Sequence, residues 1–570
     1  MDDKLLLGDT VAKRPRHPLR RNYWILAPLI ILWSMFIINN RSRFSSSRSP
    51  TFLEYSGEHI RWEPCGNSKA ESLECSSIDV PIDQFDAPNS RNEAFTIPLI
   101  RMRGANATRN ILVNPGGPGI SGIQFMSDYG EQLKALVGEG FHLVSFDPRG
   151  VHNSTPAASC YPDDDTRHEL SRVRYHRLFG DSREVYAWAQ NFARACSDTM
   201  GDYAQYINTP QTAADMNSIL DALGQKDMAY WGFSYGSLLG QTYAGLFPDR
   251  SKRIIIDGVV DQYEWYEGVY EAESLEDTDK VLDGFFDECI KAGAERCALA
   301  SLTTSPKVLR DTVLSYMDKL REQPIPVYIN NSMHGLLDNT TVWYNGILYA
   351  LYSPAAEWAS LADNLYTLIQ GNATNMFLAC NHGSPIQISR ESNAILTLND
   401  GRNGLDYWPQ NRQALLDKIV PYYNKSLFGA YWIKMLYMKQ QWAIPRTHNY
   451  VPRRVKTAHP ILIVSTSYDP VCPLVSALSA YKSFENSQVV EIKGYGHTSI
   501  STPSICAVKY IRDFLYRGEM PPSYTQCEVD VPYFWEEGQD DQVPGQKMFD
   551  DPVDSFIHRA QQNLAMAWAR

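Results

Sequence analysis

Short strand-like runs alternate with helix-like stretches along much of this 570-residue chain. The runs are rich in β-branched and aromatic residues, and stretches with helical periodicity, such as Thr212–Leu223, separate them. The strand-like runs are Phe95–Met102, Asn110–Val113, His142–Phe146, Met228–Trp231 and Arg253–Ile256. Strands that alternate with helices usually form a mostly parallel sheet with helices on both faces. The alternation therefore predicts an α/β fold.

The pattern changes after Asp261, where amphipathic helical segments such as Leu275–Ala292 and Pro354–Leu368 replace the strands. Strand signals return only in Ile461–Thr466 and Gln488–Ile492. A helical cap inserted into one split α/β domain explains this order better than two domains in series.

An uncharged apolar run, Tyr23–Ile38, lies near the N-terminus and follows a basic segment. The basic residues are Lys13, Arg14, Arg16, Arg20 and Arg21. By the positive-inside rule the N-terminus is cytoplasmic and the rest lumenal or extracellular. A cleaved signal peptide is the alternative, but no small-residue cleavage pattern follows the run. We therefore expect a single transmembrane helix, an uncleaved signal anchor, and a single-pass type II membrane protein of the secretory pathway.

These features predict seven segments along the chain. They are a cytoplasmic tail (1–22), a transmembrane signal anchor (23–38), a Ser-rich stalk (39–54), the first part of the α/β core (55–262), a helical cap (263–455), the C-terminal part of the core (456–530) and a C-terminal extension (531–570).

Charge and cysteine content narrow the possible partners and compartment. The formal net charge is -12, which argues against a nucleic-acid partner because such proteins present a basic face to phosphates. No metal site is expected, since the chain has no CxxC or HExxH spacing. The ten cysteines instead suggest short bridges in an oxidising compartment, with ten free thiols as the alternative. The suggested pairs are Cys65–Cys75, Cys160–Cys196, Cys289–Cys297 and Cys506–Cys527. Sequons at Asn106, Asn330, Asn339, Asn372 and Asn424 are compatible with glycosylation.

A GxSxG sequence formed by Gly232, Ser234 and Gly236 directly follows the strand-like run that begins at Met228. A nucleophile on a sharp strand-to-helix turn brings nearby backbone so close that residues two away must lack side chains. The spacing alone is weak evidence, because GxSxG also arises by chance. Its position between a strand and a helix-like stretch favours Ser234 as a nucleophile.

A serine nucleophile needs a base and an orienting acid, and both can be placed downstream at strand ends. Asp469 follows Ile461–Thr466, and His497 follows Gln488–Ile492. The carboxylate would hold one imidazole nitrogen while the other takes the serine proton. A solvated loop position is the usual role of an isolated Asp or His, but the order Ser, Asp, His and the flanking glycines favour a triad.

The glycine-rich loop Asn114–Gly122 (NPGGPGISG) can be interpreted in two ways. It contains a GxGxxG spacing, typical of dinucleotide binding, but no acid at a strand end follows about 20 residues later, as a ribose contact would require. In the hydrolase interpretation, the N–H groups of Gly117 and Tyr235 form an oxyanion hole. This interpretation requires no cofactor.

Six segments together resemble the tripeptidyl aminopeptidase and prolyl aminopeptidase branch of the α/β-hydrolases. In order they are NPGGPGISG, FDPRGVHNS, WGFSYGSLLGQTYAGLFPDR, IDGVVD, YDPVCP and GYGHTS, and the region SICAVKYIRDFLYRGEMPPSYTQCEVD resembles that group's C-terminal part. The resemblance covers residues 55 to 530 and implies an α/β-hydrolase fold with a helical cap. It also implies Ser234 as nucleophile, Asp469 as acid, His497 as base, and Gly117 and Tyr235 as oxyanion donors.

The sequence departs from that group at two places. Cys472 lies beside the acid where a small polar residue is expected, and it could pair with Cys380 or remain free. His152 stands where the group usually has glycine. It is an alternative base, but its early position in the fold favours a structural role.

Three function classes remain open. The first is a serine exopeptidase acting on peptide N-termini, the second a carboxylic-ester or lactone hydrolase on the same triad, and the third an inactive binding module. An aminopeptidase must bind an ammonium group, and Asp261, Glu264 and Glu267 enter the cap from the sheet edge that carries Ser234. The alternative is that these three acids only stabilise a helix start, where acids are common.

Overall fold

The computed structural model describes residues 52–65, 73–90, 93–381, 391–534 and 549–568. The predicted signal anchor at residues 23–38, the cytoplasmic tail and most of the stalk lie outside these ranges. No helix within the described ranges has the length and apolar character needed to span a bilayer.

A ten-stranded mixed sheet forms the centre of the structure. Its strands are β1 (Glu63–Pro64), β2 (Leu73–Pro81), β3 (Ala94–Met102), β4 (Arg109–Asn114), β5 (Phe141–Phe146), β6 (Met228–Phe233), β7 (Ser251–Asp257), β10 (Leu462–Tyr468), β11 (Gln488–Tyr495) and β12 (Thr525–Glu528). Their spatial order is β1-β2-β3-β5-β4-β6-β7-β10-β11-β12; the strands from β5 to β12 in this order pair in parallel, whereas β1, β2 and β3 form an antiparallel edge. The α/β prediction is confirmed, and the antiparallel edge is an addition to it.

Helices cover both faces of the sheet, because its buried strands point alternate apolar residues to opposite sides. In β6, Tyr230 packs into one core cluster and Trp231 into the other. Gly122–Val137, Ile505–Arg517 and Pro552–Trp568 cover the Trp231 face. Thr209–Ala222, Tyr235–Leu246 and Leu474–Ser483 cover the opposite face.

A largely helical insertion separates β7 from β10, as the sequence predicts. It also contains a two-stranded antiparallel hairpin, β8 (Ile325–Asn330) and β9 (Met333–Leu337), that the sequence patterns do not reveal. The α-helices of the insertion are Gln262–Tyr266, Tyr270–Ser274, Thr278–Ala292, Pro306–Glu322, Tyr349–Tyr352, Pro354–Ile369, Thr374–Asn381, Ser392–Asp400, Arg412–Tyr423 and Ile433–Gln441, and a π-helix spans Thr341–Leu348.

Part of the segment between β5 and Thr209–Ala222 joins this insertion. It contains the helices Asp164–Leu170 and Ser182–Met200, and the second packs against Ile433–Gln441. Two separate stretches of chain therefore build the helical layer above the sheet edge. Helix Thr498–Ser501 begins shortly after β11 and contacts helix Pro354–Ile369 of the insertion.

Four disulfide bonds join the cysteine pairs that the sequence grouping suggests. They are Cys65–Cys75, Cys160–Cys196, Cys289–Cys297 and Cys506–Cys527. Cys380 and Cys472 do not pair with each other, and both are buried free thiols. Four disulfides indicate an oxidising, extracytoplasmic compartment.

Candidate active site

Ser234 occupies the sharp turn between β6 and helix Tyr235–Leu246. Its backbone has φ +56° and ψ -124°, a conformation that side-chain-bearing residues rarely adopt. The Ser234 N–H donates to the Asp257 carbonyl oxygen at 2.9 Å, which ties the turn to β7. Strain of this kind is typical of a turn that presents a nucleophile.

Contacts around the turn account for both glycines of the GxSxG sequence. A Cβ added at Gly232 would lie 2.2 Å from the Gly236 carbonyl oxygen. A Cβ added at Gly236 would lie 2.6 Å from the Asn114 carbonyl oxygen. These distances are far shorter than any van der Waals contact, so neither position has room for a side chain.

The glycine-rich loop after β4 packs directly against this turn. A Cβ at Gly116 would lie 2.4 Å from the Phe233 carbonyl oxygen and 2.9 Å from Ser234 Cβ. Gly116 and Gly117 both have positive φ, at +96° and +105°. Gly117, Ser234 and Tyr235 line one small pocket, so the two predicted oxyanion donors, Gly117 and Tyr235, lie beside the predicted nucleophile. The close packing explains the glycines without a bound nucleotide.

Asp469 and His497 form a buried hydrogen-bonded pair at the ends of β10 and β11. His497 Nδ1 lies 2.9 Å from Asp469 Oδ2. The carboxylate also accepts hydrogen bonds from the backbone N–H groups of Val471, Cys472 and Thr498, at 2.8 to 3.1 Å. This arrangement fixes the carboxylate and orients the imidazole ring.

The helical insertion contacts both the backbone and the ring of His497. The backbone N–H of His497 donates to the Tyr352 carbonyl oxygen at 2.9 Å, and the two rings meet edge to face with centroids 5.1 Å apart. Tyr352 ends helix Tyr349–Tyr352 of the insertion. The position of His497 therefore depends on the insertion as well as on the sheet.

Cys472 links the serine to the Asp469–His497 pair. Burial, together with the charge of Asp469, raises the pKa of the Cys472 thiol well above its usual value, and the neighbouring Ser234 hydroxyl opposes this rise. The side chain is 1% exposed. One carboxylate oxygen of Asp469, the Cys472 sulfur and one ring nitrogen of His497 all lie within 4.8 Å of one another. Sequence reasoning singled out Cys472 only as a departure and missed this contact.

A second buried carboxylate, Asp257 at the end of β7, was also missed. Its Oδ1 accepts from the Ser499 N–H at 2.8 Å, and its Oδ2 accepts from Trp231 Nε1 at 3.2 Å and from the Ser499 hydroxyl. Burial raises the pKa of Asp257 to about 6. Its partners are Ser499 and Trp231, which leaves Asp469 as the carboxylate that holds His497.

Residues of the insertion stand over the serine and close the pocket. Trp265, Asn393, Thr397 and Trp432 line it together with Val260 and Pro118. Asn393 donates from Nδ2 to the Pro118 carbonyl oxygen at 3.1 Å, which joins the insertion to the glycine-rich loop. The serine therefore faces a small pocket whose lining includes three aromatic side chains, Tyr235, Trp265 and Trp432.

A buried polar network supports the wall of this pocket. The hydroxyls of Tyr235 and Thr209 lie 2.6 Å apart, and Thr209 donates to Asp400. Trp265 Nε1 donates to the same carboxylate at 2.8 Å. Burial raises the pKa of Asp400 to about 6.

The α/β hydrolase fold family matches residues 109–502, which include strands β4 to β11, the insertion and the residues of the site described above. The chain belongs to the α/β-hydrolase family. Its sheet edge carries a serine on a strained turn, an Asp–His pair and a glycine-rich loop, which are the parts that hydrolases of this fold use.

Curated relatives of this α/β-hydrolase include peptidases and an esterase. Serine protease Hip1 of Mycobacterium tuberculosis (strain ATCC 25618 / H37Rv) is 27% identical over 527 residues, covering 88% of this chain and 95% of the relative. Tripeptidyl aminopeptidase of Streptomyces lividans is 24% identical and covers 78% of this chain and 82% of its own length. Carboxylesterase B of the same Mycobacterium tuberculosis strain is 25% identical, with 82% and 89% covered. The chain is a serine hydrolase related to serine peptidases.

The three acids predicted to bind an ammonium group have other contacts in this α/β-hydrolase. Asp261 begins helix Gln262–Tyr266 and accepts from the Tyr263 and Glu264 N–H groups at 2.8 and 2.9 Å. Glu264 accepts from the Val269 N–H, and Glu267 pairs with Arg402 at 3.1 Å. None of the three lines the Ser234 pocket as the structure describes it. Stabilisation of a helix start, the alternative raised for these acids, accounts for Asp261.

His152, the other histidine considered as a base, does not line the Ser234 pocket as the structure describes it. Its Nδ1 is 3.8 Å from Asp147, a buried carboxylate that accepts from Ser121 and from the Asn153 N–H. Asp147 thereby holds the start of helix Gly122–Val137 against the loop after β5. This position agrees with a structural role for His152.

Proposed function

We propose that this chain is a serine exopeptidase that releases residues or short peptides from peptide N-termini. The observation that carries the proposal is the closed end over Ser234, formed by Asn393, Thr397 and Trp432 of the insertion. When one side of the pocket is closed, the end of a peptide can reach the nucleophile more easily than a peptide that extends beyond the pocket on both sides of the scissile bond. The two peptidase relatives, which this chain matches over most of its length, support the same class.

In the proposed mechanism, Ser234 attacks the scissile carbonyl carbon while His497 takes the hydroxyl proton. Asp469 keeps the imidazole in the required tautomer and stabilises the imidazolium. The N–H groups of Tyr235 and Gly117 donate to the developing oxyanion. His497 then returns the proton to the leaving amine, which departs and leaves an acyl-enzyme. Water activated by the same histidine hydrolyses the ester bond to Ser234.

An aminopeptidase must pair the substrate ammonium group with an acidic side chain. Asp261, Glu264 and Glu267 stay as predicted partners, although their described contacts lie outside the pocket. If one of them binds the ammonium, its change to Asn or Gln should lower activity on free-amine peptides and spare small neutral esters. Equal losses on both substrate types would argue against the role.

A carboxylic-ester or lactone hydrolase is the second candidate, and one observation favours it. The described lining of the Ser234 pocket contains no carboxylate that could pair with an ammonium group. An aromatic wall suits an apolar acyl or alkyl group, and one curated relative is a carboxylesterase. The triad and oxyanion donors would act in the same way on an ester.

Matched substrates separate the two candidates. An exopeptidase should cleave a free-amine peptide anilide and lose most of its activity when the same peptide is N-acetylated. An esterase should cleave acyl esters and neither peptide. A fluorophosphonate probe should label the parent protein and spare Ser234→Ala, whereas Ser127→Ala, a change on an exposed face of helix Gly122–Val137, should label normally. Absence of labelling in the parent would favour an inactive binding module.

We further propose that the chain is a single-pass type II membrane protein, with residues 23–38 as anchor and the folded part in the secretory lumen or outside the cell. The basic segment before the apolar run and the four disulfides support this orientation. Protection of the folded part from protease in intact microsomes tests it.

A further inference from the structure

Cys472 is a thiol that peptide or ester hydrolysis does not require. It lies three residues after Asp469 in the turn that follows β10, and its N–H donates to Asp469 Oδ1 at 2.8 Å. Its sulfur forms no disulfide and lies near the Ser234 hydroxyl. The thiol is therefore held at the centre of the site, in contact with the proposed nucleophile.

The Cys472 sulfur completes a set of metal-ligand atoms with Asp469 and His497. An atom from each of the three side chains lies within 4.8 Å of the other two, and all three residues are buried. Within the residues that the structure describes, this is the one group of three or more His, Cys, Asp or Glu side chains with that geometry. Asp469 holds His497 Nδ1 at 2.9 Å, so we expect Nε2 to be the ring nitrogen that binds a cation.

The composition of this set selects a class of cation. Thiolate and imidazole are the ligands preferred by Zn²⁺ and other soft divalent ions, whereas Mg²⁺ and Ca²⁺ prefer oxygen. A metal-bound histidine usually donates its second ring N–H to a carboxylate, and Asp469 already holds Nδ1 in that way. The site thus offers a sulfur, a nitrogen and an orienting carboxylate to a small soft cation.

We propose that Cys472 and His497, oriented by Asp469, form an inhibitory site for Zn²⁺ and similar soft cations. On binding, the cation takes the place of the thiol proton, which is released to solvent, and accepts the lone pair of His497 Nε2. The histidine can then no longer accept the proton of Ser234. The inhibitory consequence rests on the proposed hydrolytic function, but the binding itself does not.

Cadmium binding to the full-length Ser234→Ala protein tests the site without relying on turnover. Cadmium bound to a thiolate produces an ultraviolet charge-transfer band, and equilibrium dialysis gives the stoichiometry. We expect one cadmium ion per chain, and we expect Cys472→Ser in the same background to lose the band and weaken binding by about 10- to 100-fold. Cys380→Ser is the matched control, because Cys380 is the other buried free thiol. It should keep both the band and the affinity.

A second measurement covers the case in which Cys472→Ser does not fold. Zn²⁺ should slow fluorophosphonate labelling of the unmutated protein, a chelator should restore it, and Mg²⁺ at the same concentration should have no effect. Cadmium binding that survives Cys472→Ser, or that disappears in Cys380→Ser, would overturn the proposal. Binding through Cys472 in a chain that cleaves neither peptides nor esters would keep the metal site and refute the proposed function. Hydrolytic activity without metal binding through Cys472 would keep the proposed function and refute the metal site.

Discussion

Trp265 donates a 2.8 Å hydrogen bond from its indole nitrogen to the fully buried carboxylate of Asp400. Trp265 lines the pocket of Ser234, and Thr209 connects the same carboxylate to the Tyr235 hydroxyl. The pocket wall is therefore held by a carboxylate that does not itself line the pocket. Because Asp400 is wholly buried, its protonation state affects the stability of the fold.

Asp400 should make the protein less stable as pH rises from about 4 to about 6. Its pKa is about 6 in the folded state, above the ordinary value of an aspartate, so the folded state binds more protons than the unfolded state in this interval. Relative to Asp400→Asn, the parent should lose on the order of 1 to 3 kcal/mol of unfolding free energy as the pH rises from about 4 to about 6. Urea unfolding at several pH values measures the difference.

Asp163 provides a control of opposite sign. The Thr166 N–H that donates to it holds the pKa of Asp163 below its usual value, so its contribution is lost as pH falls. The parent should therefore gain stability relative to Asp163→Asn as pH rises. The same slope for both variants would contradict the assignment for Asp400.

Replacement of Asp469 by Asn should reduce kcat by about 10⁴-fold, because the amide would favour the wrong histidine tautomer. Asp257→Asn is the matched control, since it changes another buried carboxylate at a neighbouring strand end whose partners are Ser499 and Trp231. The reduction of kcat in Asp257→Asn should be far smaller than in Asp469→Asn. Initial rates on one substrate, with circular dichroism to confirm folding, decide the comparison, and similar losses in the two variants would refute the triad.

The turn around Ser234 should not tolerate a methyl group at Gly232. Gly232→Ala would place a Cβ 2.2 Å from the Gly236 carbonyl oxygen, so the turn must shift or the protein must unfold. We expect loss of fluorophosphonate labelling together with a lower melting temperature. Gly180→Ala meets only ordinary contacts, the nearest at 3.6 Å, and should label like the parent. Normal labelling of Gly232→Ala would mean that the turn has another shape.

The buried ion pair between Arg149 and Asp215 should be important for stability. Arg149 Nη2 lies 2.6 Å from Asp215 Oδ1, and neither side chain is exposed. Asp215→Ala should cost about 3 to 5 kcal/mol of unfolding free energy because it leaves a buried guanidinium unpaired. Asp311→Ala, which breaks the exposed pair with Lys307, should cost at most about 1 kcal/mol. Urea denaturation compares the two, and equal costs would refute the reasoning.

Non-reducing peptide mapping should recover the four bridged cysteine pairs and two unpaired thiols, Cys380 and Cys472. Labelling after unfolding, without reductant, should modify only these two. Free thiols at Cys506 and Cys527 would contradict both the structure and the oxidising compartment.

Local patterns were enough to predict the parallel strands β4, β5, β6, β7, β10 and β11 and the serine turn, but not the short parallel strand β12. Asp469 and His497 could be placed because both follow strands that end at one edge of the sheet. The antiparallel strand Leu73–Pro81 was missed, since its partner Ala94–Met102 alone carried a clear strand signal.

Contacts between distant parts of the chain could not be predicted in the same way. Nothing near Cys472 in the sequence indicates that its thiol meets Ser234, and Asp400 looks like any acid at a helix end. Asp261 shows the opposite difficulty. An acid that caps a helix and an acid that binds a ligand at a helix start have the same local sequence, and only the contacts tell them apart.

The insertion between β7 and β10 also affects how the chain is made. Strand β7 ends at Asp257, and its neighbour β10 begins at Leu462. At roughly 5 to 20 residues per second, the ribosome needs about 10 to 40 seconds to deliver β10 after β7. Throughout that interval β7 has one open edge, and open strand edges promote aggregation. The insertion that encloses the serine therefore also delays completion of the sheet during synthesis and leaves an edge of β7 unpaired in that interval.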